Sequence, residues 1–256
     1  MTRIALTQPL PRGDGLARRL RERGHQVAYL PMRRLVSTVD QPEALSQLGR
    51  LAVYDWVVFV SPGAIDITFD ALISRGLRWP AETGIGLIGP GSAQALAEQG
   101  FLPDGLRIVH PAAAPYDADA LLRCAPFDEP AGLNVLVIAG TLGRRDWLET
   151  LRERGAEVQR LVVYHSEALD PDREGLAMLA DWANRGLAVV FSLTVLDAVE
   201  RLDQAMRSQA IAAWAHRQQA LAPHPRIVRA LIGCGWSRAR LIEPGEQALV
   251  GAIESS

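Results

Sequence analysis

The amino-acid sequence predicts an α/β protein of two similar parallel-sheet domains with a cleft between them, and three observations lead there. Short apolar runs rich in β-branched residues alternate with helix-patterned stretches along the whole chain. These runs are continuously apolar, the pattern of parallel strands covered by helices on both faces. The second half of the chain also echoes the first at a nearly constant offset, which indicates a duplicated unit.

Taken in order, the predicted strands of the first half cover residues 3–7, 27–30, 56–60, 85–88 and 106–109. Those of the second half cover 135–138, 159–163, 188–191, 219–221 and 240–242, with helices such as 144–154 and 225–231 between strands. Val, Ile and Phe supply the strands, while Gly, Pro, Ser and Thr mark the breaks. Arg21-Glu22-Arg23-Gly24 returns 131 positions on as Arg152-Glu153-Arg154-Gly155, and Val57-Val58-Phe59 returns 132 positions on as Val189-Val190-Phe191. In the same register, residues 4–7 answer to 135–138, and the segment after Ile88 to the one after Leu221. Two copies of about 130 residues are too few for a solenoid, and each is large enough to bury its own core.

Composition narrows the function classes. The chain has 27 basic against 29 acidic residues, a formal charge of -2, with no basic tail. Nucleic acids and membrane surfaces are therefore not expected as partners, and a small molecule is. Every basic residue is Arg, which excludes lysine Schiff bases, pyridoxal phosphate chemistry and a P-loop lysine. Cys124 and Cys234 lie too far apart for a clustered site and are expected as buried structural thiols. The histidines, at 25, 110, 165, 216 and 224, lack metal-ligand spacing, so no metal site is expected. Without a signal-type apolar region or a run of about 18 apolar residues, the protein is expected in the cytoplasm.

In open parallel sheets, ligands sit beyond the carboxyl ends of the strands. There the sequence has Ser61-Pro62-Gly63-Ala64 after Val60, Gly89-Pro90-Gly91-Ser92 after Ile88, and Ala139-Gly140-Thr141-Leu142-Gly143-Arg144 after Ile138. Each feeds a helix N-terminus, where free N–H groups favour anions, although turn and capping chemistry alone also explains any one of them. Gly84-Ile85-Gly86-Leu87-Ile88-Gly89 fits a G-x-G-x-x-G pattern but runs through a predicted strand, so it is not taken as a dinucleotide loop.

Several of these segments together resemble the bacterial uroporphyrinogen-III synthase family over nearly the whole chain. The supporting stretches are Thr7-Gln8-Pro9, Tyr54-Asp55-Trp56-Val57-Val58-Phe59-Val60-Ser61-Pro62-Gly63-Ala64 and Ile88-Gly89-Pro90-Gly91-Ser92-Ala93-Gln94-Ala95-Leu96. In the second half they are Gly140-x-x-Gly143-Arg144, Arg154-Gly155-Ala156-Glu157-Val158 leading to Val162-Val163-Tyr164, and Pro223-His224-Pro225-Arg226-Ile227. The resemblance implies two flavodoxin-like domains, 1–35 plus 167–256 and 36–166, joined by a two-stranded linker that crosses near Leu35 and Glu167. It also implies a monomeric, cofactor-independent lyase that closes the linear tetrapyrrole hydroxymethylbilane to uroporphyrinogen III, with loss of water and inversion of the last ring.

Loss of the substrate hydroxyl leaves a resonance-stabilised azafulvene cation, so positioning the chain outweighs making a strong nucleophile; restricted geometry contributes about 7–11 kcal/mol in favourable cases. Tyr164 matches the family tyrosine, and a phenol, with an ordinary pKa of about 10, can protonate a departing hydroxyl at neutral pH. By the same resemblance Ser61, Ala64, Ser92, Gly140, Ser192 and Thr194 line the substrate, and Arg144 and Arg226 are candidate carboxylate partners through their guanidinium forks.

The chain departs from the family pattern at Thr7-Gln8-Pro9 in place of Thr-Arg-Pro, at Ser192-Leu193-Thr194 in place of Ser-Pro-Ser, and at Arg226-Ile227 in place of Thr-Thr. Two alternatives therefore stay open, a catalytically inactive homologue and a bilobal ligand-binding or sensor module that closes on a ligand without turnover.

Overall fold

Four helices in this chain begin at a polar side chain that caps their first turn, and two of these add a proline there. Ser61, Asp117, Asp172 and His224 each sit in extended backbone and accept an N–H from the first helical turn, and Pro62 and Pro225 follow at the opening positions. The computed structural model describes residues 1–100 and 102–255.

In chain order the elements begin with β1 (Arg3–Leu6), α1 (Arg12–Glu22), β2 (Gln26–Tyr29), β3 (Arg33–Ser37) and α2 (Pro42–Leu48). After a 3-10 turn at Leu51–Val53 come β4 (Trp56–Phe59), α3 (Pro62–Ser74), β5 (Gly84–Leu87), α4 (Pro90–Ala97), β6 (Ile108–Val109) and α5 (Ala118–Leu121). Next are β7 (Asn134–Gly140), α6 (Asp146–Glu153), β8 (Glu157–Ala168), α7 (Arg173–Asn184), β9 (Val190–Ser192) and α8 (Leu196–Ser208). The chain closes with α9 (Ala212–Ala215), β10 (Gln219–Ala222), α10 (Pro225–Gly233), β11 (Arg238–Leu241) and α11 (Glu246–Glu254).

These elements form two units, Met1–Leu35 with Glu167–Ser256, and Val36–Ser166. The first holds a sheet of order β11-β10-β9-β1-β2. The second sheet has the order β3-β8-β7-β4-β5-β6, and the chain passes from one unit to the other within β3 and again at the end of β8. Every pair from β1 to β2, β9, β10 and β11, and from β4 to β5, β6, β7 and β8, is parallel.

Leaving β3 aside, the two sheets superpose in topology when β1, β2, β9, β10 and β11 are matched with β7, β8, β4, β5 and β6. Both then have the order 2-1-3-4-5 of the flavodoxin-like arrangement. The repeated tetrapeptides occupy the same place in both units. Gly24 and Gly155 follow α1 and α6 with φ of 82° and 91°. Gly24 N–H donates to Arg21 O and His25 N–H to Leu20 O, while Gly155 donates to Arg152 O and Ala156 to Leu151 O. Both helices thus end in the same Schellman turn, where glycine is needed for the left-handed conformation.

Alternate residues of each strand enter different cores. In the second unit Val57, Phe59, Leu136 and Ile138 join one cluster, whereas Trp56, Val58, Val135 and Val137 join another. The first unit divides Ala5, Phe191 and Ala220 from Ile4, Leu6, Val190 and Leu221 in the same way. Strands buried on both faces explain the continuously apolar runs of the sequence.

Some boundaries differ from expectation. The strand expected at 106–109 is only Ile108–Val109, because Gly105 turns in the left-handed region ahead of it. The helix expected from Arg144 starts at Asp146, after Gly143 at φ 125°. Cys124 and Cys234 are partly exposed instead of buried, since each lies just beyond the last residues of a short helix. The G-x-G-x-x-G segment is indeed strand β5, and its glycines are set by packing: a Cβ on Gly84 would lie 2.6 Å from the Trp56 ring, and one on Gly86 would lie 2.9 Å from Phe127.

Candidate active site

In a sheet of order 2-1-3-4-5 the ligand crevice lies where successive connections leave in opposite directions, beyond the carboxyl ends of the strands. In the second unit this point falls between β7 and β4. Ser61 follows β4 and caps α3, its Oγ accepting the Ala64 N–H at 3.2 Å. Tyr164, half-buried on β8, brings its hydroxyl to 3.0 Å from Ser61 Oγ, and either oxygen can donate.

Two local features aim the tyrosine. The β7–β8 register slips between Ala139, opposite Val162, and Gly140, opposite Tyr164; the extra β8 residue is a bulge that turns the side chain. Gly140 then leaves room for the ring, because a Cβ there would lie 2.5 Å from Tyr164 Cζ. The Thr141 N–H donates to the Tyr164 carbonyl at 3.0 Å, tying the β7–α6 loop to the same residue.

That loop is also gripped by two arginines. Arg145 donates to Thr141 O at 3.1 Å, and Arg160 donates to Gly140 O and, at 3.5 Å, to Thr141 O. Burial, and after it the Arg145 charge, holds the Arg160 guanidinium below the ordinary arginine range, with Tyr164 acting in the opposite sense. Arg144 turns elsewhere, to Asp119 at 2.8 Å and Asp146 at 2.6 Å. Its hydrogen bonds to these carboxylates raise its pKa, and the Arg144 hydrogen bond holds Asp146 below its usual value.

The structure therefore brings Ser61, Ala64, Gly140 and Tyr164 into one cluster. Ser92 lies in the first turn of α4 at the end of β5, buried, with its N–H on Gly89 O. The remaining sequence candidates lie in the first unit. Ser192 is the last residue of β9, and its carbonyl accepts from both Thr7 N, at 3.2 Å, and Thr7 Oγ1, at 2.9 Å. Thr194 has a buried Oγ1 without a hydrogen-bond partner. Arg226 is exposed in the first turn of α10, its backbone N–H donating to His224 Nδ1 at 3.1 Å.

Sequence reasoning missed Thr7, Arg145 and Arg160. A charged residue within an otherwise apolar strand, four positions before Tyr164, was the available signal for Arg160. Among the described residues no group of three or more His, Cys, Asp or Glu is placed to hold a metal ion. No helix of the described residues is long and apolar enough to cross a membrane.

Comparison with known proteins agrees with the resemblance seen in the sequence. The family model described as uroporphyrinogen-III synthase HemD matches residues 14–250. A uroporphyrinogen-III synthase of Salmonella typhimurium is 27% identical over 252 residues, 98% of this chain and 99% of its own length. One of Escherichia coli is 28% identical over 187 residues, 73% of either chain. In fold, the chain is similar to a mutant uroporphyrinogen III synthase of Thermus thermophilus with a TM-score of 0.52 at 20% identity, covering 100% of this chain and 98% of that one. By the extent of the family match, the chain belongs to the uroporphyrinogen-III synthase family.

Proposed function

We propose that the protein closes hydroxymethylbilane to uroporphyrinogen III with loss of water and inversion of the last ring, as a cofactor-independent monomer in the cytoplasm. Within this family, the observation that supports the reading is the 3.0 Å Ser61–Tyr164 pair at the carboxyl edge of the second unit.

The pair suits proton transfer. Ser61 Oγ already accepts the Ala64 N–H, so its own proton is available for Tyr164 Oη, and that arrangement frees the phenolic proton for the substrate. Tyr164 gives this proton to the departing hydroxyl, which leaves as water, and the azafulvene cation forms. The substituted carbon of the last ring attacks the cation, giving a spiro intermediate that fragments and recloses with the ring inverted. In reclosure the free α-carbon of the last ring bonds the methylene carbon released by fragmentation, and the proton that this α-carbon loses passes to the Tyr164 phenolate, restoring the acid. General acid catalysis of this kind contributes roughly 10²–10⁴-fold, so Tyr164→Phe is expected to lower turnover within that range. Ser61, Ser92, Ser192, Thr194 and the backbone donors around Ala64 and Gly140 bind acetate and propionate arms. Neutral donors suit a site that must also release an octaanionic product.

The test is incubation with freshly generated hydroxymethylbilane, oxidation of the products and chromatographic separation of the type I and type III porphyrins. Spontaneous closure gives mainly type I. Type III product rising with protein concentration supports the proposal; type I alone at the blank rate refutes it and leaves an inactive homologue or a ligand-binding module.

A further inference from the structure

We infer that Arg145 and Arg160 form an anion subsite that takes one carboxylate arm of the substrate beside Tyr164. The identity of the arm rests on the proposed function; the subsite itself rests on the electrostatics of the β7–α6 loop.

Both guanidinium groups converge on one carbonyl, that of Thr141, and among the described residues neither is paired with a carboxylate. Two cations on a neutral acceptor repel one another, and the repulsion registers at Arg160, whose charged form is disfavoured first by burial and then by Arg145. The neighbouring Arg144 has the opposite arrangement, with two carboxylates for one guanidinium. The loop therefore holds one arginine neutralised and two that are not.

An arriving carboxylate offsets that imbalance. It is an acceptor only, with two oxygens and about four lone-pair sites, and each guanidinium has five donors in a planar fork, only some of which the loop carbonyls use. The subsite also adjoins the proton donor. Arg160 holds the carbonyls of Gly140, which packs against the Tyr164 ring, and of Thr141, whose N–H donates to the Tyr164 carbonyl. A carboxylate arm seated here fixes the reacting ring relative to the phenol, a role that the sequence suggested for Arg144 and that the geometry gives to its neighbours.

The first test needs no turnover. Titration of the protein with propionate at constant ionic strength, followed through the arginine Nε–H resonances, should shift Arg145 and Arg160 together along one saturating curve and leave Arg144 still. Absence of a shift in both, or an equal shift in Arg144, overturns the subsite whatever the protein catalyses.

The second test assigns the arm. Arg145→Gln and Arg160→Gln should each raise KM for hydroxymethylbilane about 10- to 100-fold, the range of a lost hydrogen bond to a charged group, with kcat changed only a few-fold. They should also flatten the dependence of kcat/KM on salt. A purely loop-holding role predicts the reverse: lower kcat and melting temperature, with KM and the salt dependence unmoved. Should Arg160→Gln fail to fold, the exposed Arg145 provides the same readout. If the unmodified protein forms no type III isomer, the proposed reaction fails while the propionate titration still decides the subsite.

Discussion

Replacing Gly140 with alanine tests the Tyr164 assignment without touching the phenol itself. A Cβ at position 140 would sit 2.5 Å from Tyr164 Cζ, where ordinary contact begins at 3.4 Å, so the ring must yield by about 0.9 Å. The backbone offers little relief, because Thr141 N–H and the Tyr164 carbonyl are bonded at 3.0 Å and the flanking strand is paired from Asn134 onward. Cζ carries the hydroxyl, so most of that displacement passes to Oη and breaks its 3.0 Å contact with Ser61. Overpacking of this kind costs about 1–3 kcal/mol of stability, and a misplacement of about 1 Å costs roughly 10²-fold in rate. The assay is the initial rate of type III isomer formation, with a thermal melt as the measure of folding. Combining Gly140→Ala with Tyr164→Phe should be no worse than Tyr164→Phe alone, since both losses act through one hydroxyl. A folded Gly140→Ala variant at the unmodified rate, or a double variant in which the losses multiply, would refute the reasoning.

Four further outcomes follow from the same structure. Ser61→Ala removes both the α3 cap and the Tyr164 partner, so it should cost about 0.5–2 kcal/mol in a denaturant melt and also slow type III formation; loss of stability alone would leave Ser61 as a cap only. Asp203→Ala should destabilise by about 1–3 kcal/mol, because the residue is buried and its loss leaves His216 Nε2, held at 2.6 Å, without its partner, whereas Arg207→Ala, which removes its exposed partner, should cost under about 1 kcal/mol. Gly84→Ala should lower the melting temperature through its clash with Trp56 and leave the protein without affinity for dinucleotides; measurable dinucleotide binding would reinstate the motif reading. Burial raises the pKa of Tyr29 and Tyr54, so their contribution to stability is complete below the unfolded value of about 10 and is lost as pH rises toward the raised folded values. Alkaline unfolding curves of Tyr29→Phe and Tyr54→Phe should accordingly be shallower above pH 10.

How far the sequence was legible depended on whether the responsible interaction is local. Strands buried on both faces announce themselves by continuous apolar runs, so β4, β5 and β7 were placed within a residue or two. The Arg-Glu-Arg-Gly repeats marked two identical helix ends because a Schellman turn is written in consecutive residues. Edge strand β3, half-exposed and bearing two arginines, has no such run and was implied only by the family resemblance. At the site, Ser61 and Gly140 were legible from turn chemistry. The choice between Arg144 and its neighbours was not, because it depends on Asp119, 25 positions away, and on a strand residue, Arg160, whose reach to the loop no spacing rule encodes.

The two units have one topology but unequal chemistry at their crevices. In the first unit the Ser192 carbonyl is doubly bonded by Thr7, through its N–H and its hydroxyl, so both Thr7 donors are consumed internally. In the second unit Ser61 and Tyr164 bond one another and a single backbone N–H. A serine and a tyrosine hydroxyl together have two donors and several acceptor sites, so this pair retains capacity for a reacting group where the Thr7–Ser192 contact does not. A buried polar arrangement left incomplete is costly unless something completes it. The incomplete pair, the bulge that aims it, the glycine that makes room and the two unneutralised arginines all belong to the second unit. The departures from the family pattern, at Gln8, Leu193-Thr194 and Arg226-Ile227, all belong to the first. Under the proposed function, divergence in those three segments bears on how the polyanion is held, while the proposed proton-transfer pair retains the family residues.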